Sequence, residues 1–191
     1  MKSKNTERYH QYDALVSLQA EWFARIEYFY QAITESDELE CMTRCSGRCC
    51  PQVMTDKPPG HAVAGQIVIL LPFELEYLLA TTDATRNQFA TAEIEIVPGT
   101  LLDIGVINKQ SLCPYLSSGN LCDIHSNRPF DCRSFPLVPI FGIQEKIRFE
   151  IESACPSKDT FSSPFQLQLK KLWPEIQDLL PISYCQLYND L

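Results

Sequence analysis

Apolar residues recur every three or four positions near both ends of the chain, and this spacing predicts two amphipathic helices. The first runs from Tyr12 to about Thr34 and repeats at Leu15, Leu18, Trp22, Ile26, Phe29 and Ile33. The second runs from Pro164 to Leu180 and repeats at Phe165, Leu169, Leu172, Trp173, Ile176 and Leu180. Pro174 is expected to kink this second helix, because proline lacks the backbone N–H that an α-helix uses.

Shorter patterns between these helices predict a small sheet. The run from Gln66 to Leu71 predicts a buried strand, and Pro72 suits the first turn of a helix that continues from Phe73 to Ala80. Apolar and polar residues alternate over residues 92–97 and 146–152, which predicts two further strands, the second with one face in water. The fold class expected from these elements is α+β, with the N- and C-terminal helices packed around a short sheet.

Residues 113–139 follow neither the helical nor the strand period. They are interrupted by residues that favour turns, namely Pro114, Gly119, Asn120, Pro129, Pro136 and Pro139. A segment of this kind lacks a continuous apolar face. We therefore expect it to need another source of stability to keep a fixed shape.

Composition narrows the possible functions. The chain has 191 residues, which suits one domain over residues 1–191, and its 24 acidic residues outnumber 16 basic ones to give a net charge of −8. This balance argues against a nucleic-acid partner. The first twenty residues contain no signal-peptide core, and the run from Ile67 to Phe73 is far shorter than the ~20 residues of a membrane helix. We therefore expect a cytoplasmic protein with no membrane contact, whose thiols are kept reduced.

Nine cysteines are the unusual feature, and four of them fall within ten residues: Cys41, Cys45, Cys49 and Cys50. On one straight helix Cys41 and Cys49 would be ~12 Å apart, too far for a single metal ion, so Gly47 is expected to let the chain turn back. The side chains of the adjacent Cys49 and Cys50 point in different directions. This block therefore favours two neighbouring metal sites, or one polynuclear cluster held from two sides.

A second block begins at Cys113. Cys113 and Cys122 flank a Ser-Ser-Gly-Asn turn, which should bring them together like the ends of a hairpin, and Cys132 and Cys155 follow. The two blocks together with Cys155 supply eight thiolates, enough for two four-thiolate sites or one cluster, so we expect the blocks to meet in space. Metal would then staple the irregular loops. Cys185 is predicted to take no part.

Positive charge is interleaved with the cysteines, at Arg44, Arg48, Arg128 and Arg133. Arg128 and Arg133 are expected to donate N–H groups to the sulfur atoms from outside the ligand set. His125 lies three residues after Cys122 and is predicted either to bind metal or to support its neighbours. A disulfide framework is the main alternative, and the odd cysteine count and the missing export signal argue against it.

The second block also carries a family resemblance. It reads Cys113-Pro-Tyr-Leu, then Cys122-Asp-Ile, then Arg128-Pro-Phe-Asp-Cys-Arg-Ser-Phe-Pro136. Over roughly residues 41–157 the chain resembles the CxxCxxCC, or YkgJ-like, family of zinc- or iron-chelating proteins. The resemblance implies a metal-binding core at 41–157, although the first cysteines here are separated by three residues rather than two. The cysteine region is also similar to that of flagellin lysine methylases, which implies an iron–sulfur cluster, but no glycine-rich loop for a methyl donor is found.

These observations favour an accessory or non-catalytic metal-binding protein that holds zinc or iron, or an iron–sulfur cluster. Two alternatives stay open: an iron–sulfur redox or electron-transfer protein, and a metal-dependent enzyme. An enzyme would need a general base near the metal, and Asp123, Asp131 and His125 are the candidates in the second block. None lies in a known catalytic motif, so the catalytic residues are unknown, and the sequence identifies no protein partner.

Overall fold

The structure is a computed structural model that describes residues 3–33, 67–108, 113–117, 122–142, 145–152, 155, 158–160 and 163–190. Its helices are α1 (Ser3–Ala32), α2 (Glu74–Thr81), α3 (Phe130–Ser134), α4 (Ser163–Gln177) and α5 (Ile182–Asp190). Its strands are β1 (Ile67–Ile69), β2 (Ala90–Val97), β3 (Thr100–Asn108), β4 (Leu137–Ile140) and β5 (Arg148–Ile151). The predicted α+β class, with a helix at each end of the chain, is confirmed.

The larger sheet has strand order β1-β3-β2 with antiparallel pairing throughout. Strands β2 and β3 form a hairpin whose turn contains Gly99 in the left-handed region at φ 78°. The Glu95 carboxylate accepts the backbone N–H of Gly99 and so holds this turn. Along β2, Ile94 and Ile96 are buried while Glu93 and Glu95 are exposed, as the alternating pattern predicts. Strands β4 and β5 pair separately as a two-stranded sheet.

The main hydrophobic cluster lies between the sheet and the terminal helices. The predicted inner faces of both helices are confirmed: the buried residues are Trp22, Ile26 and Phe29 on α1, Ile33 directly after it, and Phe165, Leu169, Leu172, Trp173 and Ile176 on α4. Pro174 lies inside α4, near its end. No helix in the described part of the chain has an apolar stretch long enough to cross a bilayer.

A smaller hydrophobic cluster lies on the other side of β1 and contains the second cysteine block. Its buried members from the sheet and α2 are Val68, Leu70, Leu75, Leu78 and Ile107. Ala84, Phe89, Cys113 and Tyr115 complete the buried set, and Cys122 and Cys132 pack against it. Gly105 lets α2 approach β3 closely, since a Cβ at this position would be 3.2 Å from the Cβ atom of Leu75 on α2. This cluster positions the candidate site.

Several elements differ from the sequence prediction. Strand β3 and helix α5 were not predicted, and the segment expected to be irregular contains α3 and β4. Helix α1 begins at Ser3, nine residues before the predicted start. The prediction missed these residues because they carry no apolar repeat that would indicate a helix. Helix α2 begins at Glu74 because Phe73 adopts a left-handed conformation at φ 61°. The last predicted strand is shorter than expected and spans Arg148–Ile151.

Candidate metal centre

Backbone pairing brings the two ends of the first loop in the second cysteine block together. Leu116 and Cys122 form an isolated antiparallel bridge, and the N–H of Asp123 donates to the carbonyl of Tyr115 at 2.9 Å. The N–H of Leu116 donates to the carbonyl of Cys113 at 3.0 Å, which closes a tight turn next to this bridge. The hairpin-like approach predicted for the segments of Cys113 and Cys122 is therefore present.

Tyr115 lies between these two cysteines and the sheet. Its ring is buried and packs against Phe89 with ring centroids 5.8 Å apart, and its hydroxyl donates to Gln88 Oε1 at 3.2 Å. Burial raises the pKa of the Tyr115 phenol above its usual value, and the nearby negative charge of Cys113 and Cys122 raises it further. Both thiols are thus close enough to act electrostatically on one ring.

Cys132 is the third residue of helix α3, which contacts α1 through side chains. The Arg133 side chain is buried, and its guanidinium carbon lies 4.1 Å from the centroid of the Tyr30 ring in a cation–π contact. Arg133 Nε also donates to the carbonyl of Arg128 at 2.9 Å. Phe130 is fully buried and its ring packs edge-on against Trp173 at 5.0 Å. The predicted cationic neighbour of Cys132 is therefore held rigidly beside it in the chain.

His125 is engaged with Arg128. The Nη1 atom of Arg128 lies 3.1 Å from His125 Nε2. Because a guanidinium in a protein is always charged and can only donate, His125 Nε2 must be the acceptor. A neutral imidazole in this state carries its proton on Nδ1 and has no second lone pair for a metal ion. The arrangement fits the supporting role predicted for His125 better than the ligand role.

Glu74 is a buried polar residue of this region that the sequence analysis missed. Its carboxylate is fully buried and accepts three hydrogen bonds, from the Tyr30 hydroxyl at 2.6 Å and from the backbone N–H groups of Leu71 and Phe130 at 2.7 Å each. Burial raises the pKa of Glu74 to about 7, although the three hydrogen bonds oppose this change. The sequence did contain a signal, since Glu74 lies within an apolar stretch where a carboxylate needs partners.

Cys155 and Cys185 occupy different surroundings. Cys155 is buried, and its N–H donates to the carbonyl of Glu152, whose own N–H donates to the carbonyl of Pro136. These bonds tie Cys155 to the chain that follows Cys132. Cys185 lies on α5 and packs against the main hydrophobic cluster, and burial raises the pKa of its thiol to about 11.

An open groove of about 860 Å³ lies beside Cys122. The end of α2 forms one wall, and the segment that follows Cys122 forms the other. Its lining includes Asp83, Asp123 and His125. The groove gives solvent a path to the edge of the cysteine block.

The first cysteine block, with Cys41, Cys45, Cys49 and Cys50, lies outside the described residues, as do Arg44 and Arg48. The predicted meeting of the two blocks therefore stays a prediction. Within the described ranges, no three histidine, cysteine or acidic side chains are grouped as a metal site. The chemistry of the described donors nevertheless fits zinc or iron, because both metals accept thiolate sulfur.

No curated protein and no solved structure matches the chain. A family model does match, over residues 40–156, which is more than half of the chain. The matched span includes both cysteine blocks and Cys155 but not Cys185. The chain therefore belongs to the CxxCxxCC family, whose model is described as a putative zinc- or iron-chelating domain.

Proposed function

We propose that this protein binds zinc or iron through the thiolates of both cysteine blocks and of Cys155. The proposed ligands are Cys41, Cys45, Cys49, Cys50, Cys113, Cys122, Cys132 and Cys155. The observation that carries the proposal is the local fold of the second block. Cys113 is buried beside Tyr115 in the smaller hydrophobic cluster, and both Cys122, which pairs with Leu116, and Cys132 pack against that cluster. This cluster lies inside the family span for which chelation is described.

The placement of the chain on either side of the first block supports a shared site. The end of α1 contacts the second block through Tyr30 and Arg133. Ile67, where the described chain resumes, pairs with Asn108, five residues before Cys113. Cys41 follows Ile33 by eight residues, and an extended chain of this length reaches ~26 Å. Both ends of the intervening segment are thus anchored near the proposed partners of its cysteines.

Energetics also favour this closure. Bringing together two blocks separated by ~60 residues costs only a few kcal/mol, because loop entropy grows with the logarithm of length. Binding of structural zinc supplies on the order of 10 kcal/mol in small domains. Arg133 Nε donates to the Arg128 carbonyl, and Arg128 contacts His125. We propose that these two arginines supply positive charge and N–H groups to the thiolates.

We assign the protein an accessory, non-catalytic role in a reducing compartment such as the cytoplasm, where thiolates persist. An iron–sulfur cluster is the second candidate. The adjacent Cys49 and Cys50 favour it, because divergent neighbouring thiolates suit a polynuclear centre better than one ion. A cluster would add electron transfer to the possible roles.

The test is elemental analysis and absorption spectroscopy of protein purified without oxygen. We expect stoichiometric zinc, or iron with visible absorption and acid-labile sulfide if a cluster is present. Cys132→Ser should lose metal, whereas Cys185→Ser should retain it. Folded, metal-free protein whose clustered cysteines are joined in intramolecular disulfides would overturn the proposal.

A further inference from the structure

Helix α3, which carries Cys132, is too short to be stable by itself. It has five residues, and its N-cap residue, Pro129, makes no side-chain capping hydrogen bond. Isolated helices of fewer than ~12 residues are marginal in water, because the first turn is costly to form. The position of α3, and hence of the Cys132 backbone, must therefore come from contacts with other elements.

Glu74 holds the N-terminus of this helix. Its Oε1 atom accepts the N–H of Phe130, the first residue of α3, and also accepts the Tyr30 hydroxyl. Its Oε2 atom accepts the N–H of Leu71, just before α2. One buried carboxylate thereby joins α1, the start of α2 and the start of α3.

Tyr188 holds the next residue of α3. Its hydroxyl donates to Asp131 Oδ1 at 2.5 Å. The Tyr188 ring packs edge-on against Phe141, with ring centroids 5.1 Å apart. The Asn189 side chain of α5 accepts the backbone N–H of Phe141 and donates to its carbonyl. The hydroxyl therefore projects from an anchored helix.

Tyr30 holds the residue on the other side of Cys132. Its ring receives the guanidinium of Arg133, and its hydroxyl donates to Glu74. The three contacts reach Phe130, Asp131 and Arg133, so Cys132 is flanked on both sides by residues that other helices hold in place. Both Tyr30 and Tyr188 lie outside the matched family span.

We propose that Tyr30, Glu74 and Tyr188 are positioning residues of the metal centre, which fix helix α3 so that the Cys132 thiolate is presented to the metal. The inference rests on the proposed function, because it takes Cys132 as a ligand. Its physical basis is preorganisation: a thiolate already held in place loses less conformational freedom when it binds metal. Supporting contacts of this kind typically change metal affinity about 10–100-fold.

The central test compares Tyr188→Phe with Tyr184→Phe. Both residues lie on α5, and each substitution removes one hydroxyl, but the hydrogen bond of the Tyr184 hydroxyl goes to the carbonyl of Ile69 on β1, at 3.4 Å. Zinc affinity is measured on the full reduced chain by competition with a chelator, well below the unfolding temperature. We expect Tyr188→Phe to bind zinc about tenfold more weakly and Tyr184→Phe to bind like the wild type.

A spectroscopic signature separates positioning from general stability. Bound Co²⁺ gives thiolate-to-metal absorption that reports on the sulfur ligands. We expect this absorption to change in Tyr188→Phe and to stay as in the wild type in Tyr184→Phe. Unchanged zinc affinity and unchanged Co²⁺ absorption in Tyr188→Phe would overturn the inference.

Glu74 provides a second, independent variant. Glu74→Ala removes all three accepted hydrogen bonds and risks misfolding, whereas Glu74→Gln keeps one oxygen that can still accept from Phe130. We expect Glu74→Gln to weaken zinc binding less than Tyr188→Phe does. If the wild type holds neither zinc nor iron, the proposed function fails. If the wild type and Tyr188→Phe bind zinc equally while Cys132→Ser does not, only the inference fails.

Discussion

The two hydrophobic clusters of the molecule are built in different ways. The main cluster joins α1 and α4 to the sheet and is rich in aromatic rings, which pack edge to face around Phe141 and Trp173. The smaller cluster is formed by β1, α2 and the second cysteine block. Thiol side chains contribute to its packing alongside the apolar side chains. Helix α3 belongs to both, since Phe130 lies in the main cluster and Cys132 packs against the smaller one.

The two clusters are therefore expected to be stabilised by different interactions. The main cluster can be stable through burial of apolar surface, which contributes about 25 cal/mol per Å². The cysteine segments around Cys113 and Cys122 have an isolated bridge and short turns instead of long strands. We therefore expect metal to stabilise the smaller cluster and apolar packing to stabilise the main one, with α3 coupling the two.

The largest expected effect is that of metal removal. A structural zinc ion contributes on the order of 10 kcal/mol, so a chelator should abolish hydrogen-exchange protection over residues 113–127. Protection within α4 should persist, because its buried face packs against apolar side chains of the main cluster. Hydrogen exchange followed by mass spectrometry, with and without chelator, measures both regions at once. Equal loss of protection in both would contradict the division into two clusters.

The next effect comes from the main cluster. Trp173 is fully buried and contacts Phe130 and Phe141, so Trp173→Ala should reduce the free energy of unfolding by about 3–5 kcal/mol. Leu167→Ala, on the exposed face of the same helix, is the control and should change it by about 0.5 kcal/mol or less. Denaturant titration of metal-loaded protein measures both. A smaller loss for Trp173→Ala than for its control would show that the cluster is not the stabilising core.

A pH effect of similar size is expected at Glu74, where α3 meets the main cluster. Burial raises its pKa from 4.5 in the unfolded chain to about 7 in the fold, so the native state binds a proton that the unfolded state releases between these values. Stability contributed by this group is therefore complete below pH 4.5 and is lost as pH rises through 7, by about 3 kcal/mol in total.

The charged and titratable groups near Glu74 are Tyr30, Asp131 and Arg133. The pKa of Tyr30 is raised well above its usual value by burial and by Glu74, so Tyr30 stays neutral over this range. Glu74→Gln should lack this loss of stability. The free energy of unfolding of the wild type should therefore fall, relative to that of the variant, between pH 5 and pH 8. A difference independent of pH would contradict the raised pKa.

The smallest effect is expected at Cys185. This thiol packs against the main cluster, so Cys185→Ser should leave metal content unchanged and alter the unfolding free energy by about 1 kcal/mol. Elemental analysis beside Cys132→Ser checks the first expectation, and denaturant titration checks the second. Loss of metal equal to that of Cys132→Ser would place Cys185 among the ligands.

The sequence by itself determined the features that depend on local spacing. The inner faces of α1 and α4 follow from apolar residues repeated every three or four positions, and the buried side of β2 follows from alternation. The approach of the segments around Cys113 and Cys122 follows from the turn-forming residue types between them. The order of cysteines, prolines and arginines over residues 113–136 was enough to indicate the family.

Only the tertiary structure decided how the cysteine block is held. Glu74 bonds to residues 44 and 56 positions away, and Tyr188 bonds to a residue 57 positions away. Strand β3 likewise depends on pairing with both neighbours, and α3 on its contacts with α1 and α5. No local period encodes such contacts, because they exist only when distant segments bury one another's polar groups. The sequence thus identified candidate ligands, and the fold revealed the residues that position one of them.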